Sequence, residues 1–227
     1  MICPIAKKAV LKFCKDHKPK HRIHLGDFTD TGAWRAGHSD MDAEDPIEPD
    51  IEEGLQFTLD EFHATDVLAG NHEDRLWRKQ HSKNEIVSYC ARAIIRRIHD
   101  RMRKSDAKFH VYDGVFQGFE RGGVKWMHGV MYSENATRDH AEAMGMNVVH
   151  AHTHRPGLAF GRMIGQPIGI STGTLTRLRA MEYAKCRRST LAWGQAFVYG
   201  EVCKDQASLH LCLGPTESQP DKEWRLP

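Results

Sequence analysis

Four short polar clusters of the sequence contain the side chains that proteins use to bind divalent metal ions. They are residues 26–30 (G-D-F-T-D), 70–73 (G-N-H-E), 128–129 (H-G) and 152–154 (H-T-H). Carboxylate, amide and imidazole groups without thiolates suit ions such as Mn, Fe, Zn or Co. Two such ions about 3.5–4 Å apart clamp a phosphoryl group and activate a hydroxide. The clusters therefore indicate hydrolysis of a phosphate ester.

Each cluster is expected to be a loop that follows a β-strand. Strands are predicted over residues 21–25, 65–69, 124–128 and 147–150, and active sites of α/β proteins collect where such strands end. The spacing of apolar residues predicts helices over residues 4–18, 50–62, 85–103 and 133–144, the second of them capped by Asp50. Further strands are predicted over 108–112 and 115–120 and between 157 and 213. This order predicts a layered α/β fold with two sheets packed between helices.

The composition is that of an ordinary globular protein. Of the 227 residues, 40% are hydrophobic and 27% are charged, which excludes disordered, collagen-like and coiled-coil chains. We predict a single domain over residues 1–213 and a loosely ordered C-terminal tail over residues 214–227. The sequence has no apolar run of roughly 18 residues that could cross a membrane and no apolar signal segment at its start. We therefore expect a cytoplasmic protein that makes no membrane contact.

Histidine is unusually frequent, with 15 residues in the chain. Strand alternation places His150 on the same face as His152 and His154, and we predict that His150 is a core residue or supports that cluster. His140 has no cluster partner in the sequence and is expected to be a surface or packing residue.

The four clusters occur in the order G-D-x-x-D, G-N-H-E, H-G and H-x-H between Gly26 and His154. This ordered set resembles the calcineurin-like metallophosphoesterase family, whose short members include phosphodiesterases and DNA repair nucleases, some of them phage-encoded. The resemblance implies a four-layer α/β/β/α sandwich of two mixed sheets. It also implies a dinuclear centre with two divalent ions, manganese in the first place, with Fe, Zn, Co or Ni as alternatives.

The resemblance assigns roles to individual residues. Asp27 would bridge both metals, His154 would bind the first metal, and the second metal would be held by Asn71, His128 and His152.

The same resemblance identifies a catalytic pair. His72 matches the family's catalytic histidine, which meets the phosphate and helps the leaving oxygen depart, and Asp30 is placed to orient it. An imidazole suits this work because general acid catalysis needs a group that titrates near neutral pH.

One motif of the family is missing. A D-x-H motif at the end of the first strand would supply two ligands to the first metal, and nothing before Gly26 matches it. Either the true start lies upstream of Met1, or the protein has a depleted first metal site. We favour the upstream start because the other motifs are intact. The chain as given is expected to lack the first strand of one sheet.

Two basic stretches suggest contacts with substrate. Arg177, Arg179 and Tyr183 belong to a basic and aromatic segment that suits flexible nucleic acid, a phosphate-rich small molecule or an ordinary surface loop. The arginines of the helix predicted over residues 85–103 could follow a phosphate backbone, although such a face is more often only solvated. The net charge of +2 gives no global attraction for nucleic acid.

Three functions remain open at this point. The leading hypothesis is hydrolysis of phosphodiesters, with nucleic acid among the candidate substrates. The second is a phosphomonoesterase that acts on phosphoprotein or nucleotide. The third is a degenerate member that binds metal or nucleic acid without catalysis, because D-x-H is missing.

Overall fold

A computed structural model of the protein describes residues 2–35, 46–114, 117–178, 188–215 and 224–227. This part of the chain is mixed α/β, which confirms the predicted class. The helices are α1 (Pro4–His17), α2 (Ile47–Leu55), α3 (Asn71–Lys79), α4 (Glu85–Lys104) and α5 (Ala136–Met144). The strands are β1 (Ile23–His24), β2 (Asp66–Leu68), β3 (Lys108–His110), β4 (Phe119–Arg121), β5 (Val124–Met127), β6 (Asn147–His150), β7 (Pro156–Phe160), β8 (Ile168–Thr172), β9 (Ala196–Cys203) and β10 (Gln206–Leu213).

The chain forms two compact units. One, called here the aspartate unit, consists of Pro19–Asp113, and the other, the histidine unit, consists of Met1–Lys18 together with Gly114–Pro227. The single domain over residues 1–213 stays a prediction. No helix of the described residues is long and apolar enough to cross a membrane.

The aspartate unit is built on a parallel three-stranded sheet. Strand β2 lies between β1 and β3 and pairs with both in parallel. Parallel strands end at the same edge of a sheet, so the polar residues that follow β1 and β2 are brought to one edge. Helix α4 packs against this sheet through buried residues such as Ile95 and Ile98. Burial of each such side chain stabilises the fold by about 1.5–3 kcal/mol.

Helix α2 begins three residues earlier than the sequence predicts. It starts at Ile47, and Asp50 lies inside it, so the prediction of Asp50 as its N-cap is wrong. Pro49 is tolerated here because the first turn of a helix leaves its N–H groups without helical partners. Residues 56–61 continue the helix with π-helical spacing.

The histidine unit contains a mixed five-stranded sheet in the order β4-β5-β6-β8-β7. Strands β5, β6 and β8 are parallel, and the edge strands β4 and β7 are antiparallel to their neighbours. Strands β9 and β10 form a hairpin. As in the aspartate unit, the parallel pairing brings the residues that follow β5 and β6 to one edge.

The C-terminal residues take part in the core of the histidine unit. Trp224 is 9% exposed and packs with Ala6 and Ala9 of α1. Its ring also stacks on Phe197, with the ring centroids 5.6 Å apart. Residues 216–223 of the predicted tail lie outside the described residues.

Candidate metal centre

A buried glutamate anchors the loop that follows β1. Glu73 is fully buried, and its carboxylate accepts hydrogen bonds from the backbone N–H groups of Asp27 (2.8 Å), Thr29 (2.9 Å) and Gly70 (2.8 Å). The hydroxyl of Thr29 donates a fourth bond at 2.9 Å. Burial and the nearby Asp27 carboxylate raise the pKa of Glu73. Glu73 therefore ties the first polar cluster to the second.

The structure corrects the loop prediction for the second cluster. Gly70 is the N-cap of α3, and Asn71, His72 and Glu73 form its first turn. Glu73 stands three residues after the cap and binds the cap's own N–H, which is one half of a capping box. The spacing G-x-x-E in the sequence could have revealed this helix start.

Asp27 lies directly beside His72. The Oδ1 atom of Asp27 accepts a hydrogen bond from the backbone N–H of His72 at 3.0 Å. Its Oδ2 atom lies 3.8 Å from Nε2 of the His72 ring, and both side chains are 14% exposed. The first turn of α3 thus fixes one oxygen of the predicted bridging ligand.

The predicted pair of His72 and Asp30 is in contact. The Nδ1 atom of His72 lies 3.2 Å from Oδ1 of Asp30 and 3.3 Å from the carbonyl oxygen of Thr29. Both partners only accept hydrogen bonds, so Nδ1 carries the proton and Nε2 is left for other partners. Burial opposes protonation of His72, but the Asp27 carboxylate and the hydrogen bond with Asp30 outweigh it and raise its pKa. The same bond lowers the pKa of Asp30.

In the histidine unit, His128 and His152 lie together. His128 follows β5, is 1% exposed, and donates its backbone N–H to Oε1 of Gln117 at 3.2 Å. The rings of His128 and His152 are 5.2 Å apart between centroids, and one ring nitrogen of each lies within 4.8 Å of the other. Among the described residues of this unit, His154 does not join that cluster, and its ring packs edge-on against Trp193 at 4.6 Å.

Two further histidines support the loop that carries His128. His140 and His150 are both 0% exposed, and their ring centroids are 4.4 Å apart. Nε2 of His140 accepts hydrogen bonds from the backbone N–H groups of Val130 (2.9 Å) and Met131 (3.2 Å), and Nδ1 donates to the Ala136 carbonyl (2.7 Å).

Both supporting rings are neutral. Burial lowers the pKa of His140 and lowers that of His150 to about 3. A Cβ atom on Gly129 would lie 3.3 Å from the His140 ring and 3.4 Å from the His150 ring. Gly129 also has a φ of +106°, so its loop needs glycine for its conformation as well as for space. His150 was predicted to be a core residue or to support the cluster, and its full burial agrees with a core position.

No family model, curated protein or solved structure matches this chain.

The backbone at three predicted ligands is in the left-handed region. Asp27, His152 and His154 have φ values of 53°, 61° and 57°. Few residues other than glycine adopt positive φ, and such conformations collect at functional sites. Together with Asn71 and His128, these residues offer one carboxylate, one amide and three imidazoles, a donor set that suits Mn, Fe or Zn. The residues present therefore fit divalent metal ions.

The structure describes only one of the three predicted substrate contacts. Arg177 is exposed, while Arg179 and Tyr183 lie outside the described residues.

Two arginines of α4, Arg97 and Arg101, are matched by acidic groups. Arg97 pairs with Glu48 at 3.1 Å and also with Glu52, and Arg101 pairs with Glu52 at 2.8 Å and with Asp60 at 2.5 Å. These pairs neutralise charges that could otherwise attract a phosphate backbone.

Proposed function

We propose that the protein hydrolyses phosphate esters, preferentially phosphodiesters, with two divalent metal ions as cofactors. The ligands in this proposal are Asp27, Asn71, His128, His152 and His154. The proposal adopts the resemblance to calcineurin-like metallophosphoesterases, together with its four-layer sandwich and a cytoplasmic location. One observation carries it furthest: the side chain of His72, 14% exposed, is held through Nδ1 by Asp30 and lies beside the predicted bridging carboxylate.

Divalent ions, when bound by such ligands, supply charge compensation for the phosphoryl oxygens and an activated hydroxide. The chain's own contribution to bond cleavage is His72. An attacking hydroxide forms a bond to phosphorus while the bond to the leaving oxygen breaks, and Nε2 of His72 gives its proton to that oxygen. The ring is then neutral, and Nδ1 keeps its proton, which is hydrogen-bonded to Asp30. The hydrogen bond between Nδ1 and the Asp30 carboxylate favours the protonated ring that this step needs.

The proposal is tested by hydrolysis of bis(p-nitrophenyl) phosphate with added manganese, using the full chain. We expect activity that a chelator abolishes. On a dinucleoside monophosphate, whose alkoxide leaves poorly, we expect His72→Ala to reduce activity about tenfold or more, since general acid catalysis contributes roughly 10²–10⁴-fold in general. His81→Ala is the matched control, because His81 is an exposed histidine outside the motif clusters. Activity that survives chelation, or equal activity in both variants, would overturn the mechanism.

Two parallel measurements separate the alternatives. Faster hydrolysis of p-nitrophenyl phosphate than of the diester would show that the protein is a phosphomonoesterase. The metal content per chain separates a dinuclear centre from a degenerate one. We expect close to two manganese ions per chain, whereas one ion without turnover would favour the degenerate member.

A further inference from the structure

Asp50 contacts the site from an element that contains none of the motif clusters. It lies in α2, and its two carboxylate oxygens accept the backbone N–H of Asp30 at 3.1 and 3.0 Å. One of them also accepts the N–H of Thr31 at 3.0 Å. Hydrogen bonds from backbone N–H groups to a carboxylate are stronger than those between neutral groups. Asp50 therefore fixes the backbone at the residue whose side chain holds His72.

Helix α2 approaches this loop closely at Gly54. A Cβ atom on Gly54 would lie 1.9 Å from the carbonyl oxygen of Phe28, so only glycine allows the observed approach. Gly54 is four residues after Asp50, and residues at this spacing lie on the same face of a helix. The face of α2 that meets the loop thus combines a close backbone contact with the Asp50 carboxylate.

Other bonds hold the same loop from α3. The Thr31 hydroxyl donates to the His72 carbonyl at 3.0 Å, and Nη1 of Arg75 donates to the Asp30 carbonyl at 3.1 Å. These bonds join the loop to α3 through its hydroxyl and carbonyl groups. The N–H groups of Asp30 and Thr31 are bound by Asp50 from α2. Thr31 has a φ of 49°, so this turn needs partners to stay in place.

We propose that Asp50 is a positioning residue for His72: it holds the backbone of Asp30 and Thr31 so that the Asp30 carboxylate stays on Nδ1 of the ring. The catalytic consequence rests on the proposed function, while the structural part does not. Asp50 itself touches neither the His72 ring nor a predicted metal ligand in the bonds described above.

The structural part is tested by amide hydrogen exchange on the full chain without added metal. We expect Asp50→Ala to speed exchange at Asp30 and Thr31 about tenfold or more, because both amides lose their acceptor. Asp50→Asn keeps a carbonyl oxygen and should restore most of the protection. Glu53→Ala is the matched control, because Glu53 is an exposed acid on the same helix.

Global stability is measured alongside by denaturant unfolding. If Asp50→Ala does not fold, Asp50→Ser, whose hydroxyl is one bond shorter than the carboxylate, is compared with Glu53→Ser, and faster exchange in the former alone supports the proposal. Unchanged exchange at Asp30 and Thr31 in folded Asp50→Ala, or in folded Asp50→Ser if that variant is used, would overturn the proposal, whatever the enzyme does.

The catalytic part is tested with two diesters that differ in their leaving group. Alkoxides leave poorly and need a proton from His72, whereas p-nitrophenolate leaves with little help. We expect Asp50→Ala to lower kcat about tenfold or more on a dinucleoside monophosphate, within the range of general acid catalysis. The fold reduction of kcat on bis(p-nitrophenyl) phosphate should be smaller than this by a factor of about three or more. Asp50→Asn should recover part of the loss, and metal content should stay at the wild-type level.

An equal loss of kcat on both diesters, or a loss of metal, would overturn the positioning role. A wild-type protein that hydrolyses neither diester would instead overturn the proposed function. In that case the exchange experiment still decides whether Asp50 holds the loop.

Discussion

The two units support their predicted site residues with different chemical groups. In the aspartate unit, the loop after β1 is held by carboxylates, since Glu73 and Asp50 accept its backbone N–H groups. In the histidine unit, the loop after β5 is held by a neutral imidazole, because His140 accepts the N–H groups of Val130 and Met131. The same need, an acceptor for loop amides, is met by a charged group in one unit and by an uncharged group in the other.

This difference matches the chemistry proposed for each unit. The carboxylates of Asp27 and Asp30 raise the pKa of His72, which favours a ring that can donate a proton. His140 and His150 have lowered pKa values and bring no charge to His128 and His152. The proposed function accordingly gives acid chemistry to His72 of the aspartate unit and metal binding to His128 and His152 of the other unit.

The largest expected effect is at Glu73. In Glu73→Gln the side-chain NH2 group can only donate, so donors now bound to one carboxylate oxygen lose their partner. We expect the free energy of unfolding to fall by about 3–5 kcal/mol, the usual cost of breaking a buried charged network. Denaturant unfolding measures it, with exposed Glu53→Gln as the control. A change below about 1 kcal/mol would show that a charged acceptor is not needed here.

A smaller effect is expected from the neutral support. His140→Leu removes the acceptor of two backbone N–H groups and leaves them buried, which costs roughly 2–3 kcal/mol of unfolding free energy. The same denaturant experiment measures it beside His81→Leu, a surface control. If His140→Leu destabilised the protein more than Glu73→Gln, the distinction between charged and neutral supports would be wrong.

Metal affinity distinguishes a histidine that is a proposed metal ligand, His152, from the proposed acid, His72. We expect His152→Ala to weaken manganese binding about tenfold or more, because loss of groups that merely orient ligands already costs 10–100-fold as a rule. His72→Ala should leave the affinity within about threefold of wild type, since His72 acts on the leaving oxygen. Isothermal titration with manganese gives both values. An equal loss in the two variants would make His72 a ligand and remove its role as the acid.

The smallest effect concerns the charged face of α4. Arg97→Gln removes partly exposed ion pairs with Glu48 and Glu52, and such pairs contribute about 0–1 kcal/mol. Neither metal binding nor diester hydrolysis should change. A gel-shift titration with single-stranded DNA should give the same affinity for Arg97→Gln as for wild type. A clear loss of DNA binding would show that this face of α4 contacts nucleic acid.

Elements with a strong sequence pattern were predicted well. The long apolar stripe of α4 and the runs before Gly26 and Gly70 correspond to a helix and two strands of the structure. The contact between His72 and Asp30 was also expected, because the resemblance places Asp30 where it can orient His72. Such features depend on local periodicity or on a known motif.

The supports of the site depend on long-range partners and have no local pattern. Asp50 was interpreted as a helix cap, yet it binds amides 19 and 20 residues away in the chain. Glu73 lies in a recognised cluster, but its bonds to Asp27 and Thr29 follow only from the folded position of α3. His140 was expected to be a surface or packing residue because the sequence does not show that the N–H groups of Val130 and Met131 need an acceptor.

The central claim is the proposed metal centre, in which Asp27 and His152 are both expected to be ligands. Manganese content per chain tests it most directly, measured for wild type, Asp27→Ala, His152→Ala and the double variant at one free metal concentration. We predict that each single variant loses metal. The double variant should lose little more than the single variant with the larger loss, because the effects of substituting two ligands of one ion are not additive. Metal losses that add independently, or unchanged metal content in either single variant, would contradict the claim.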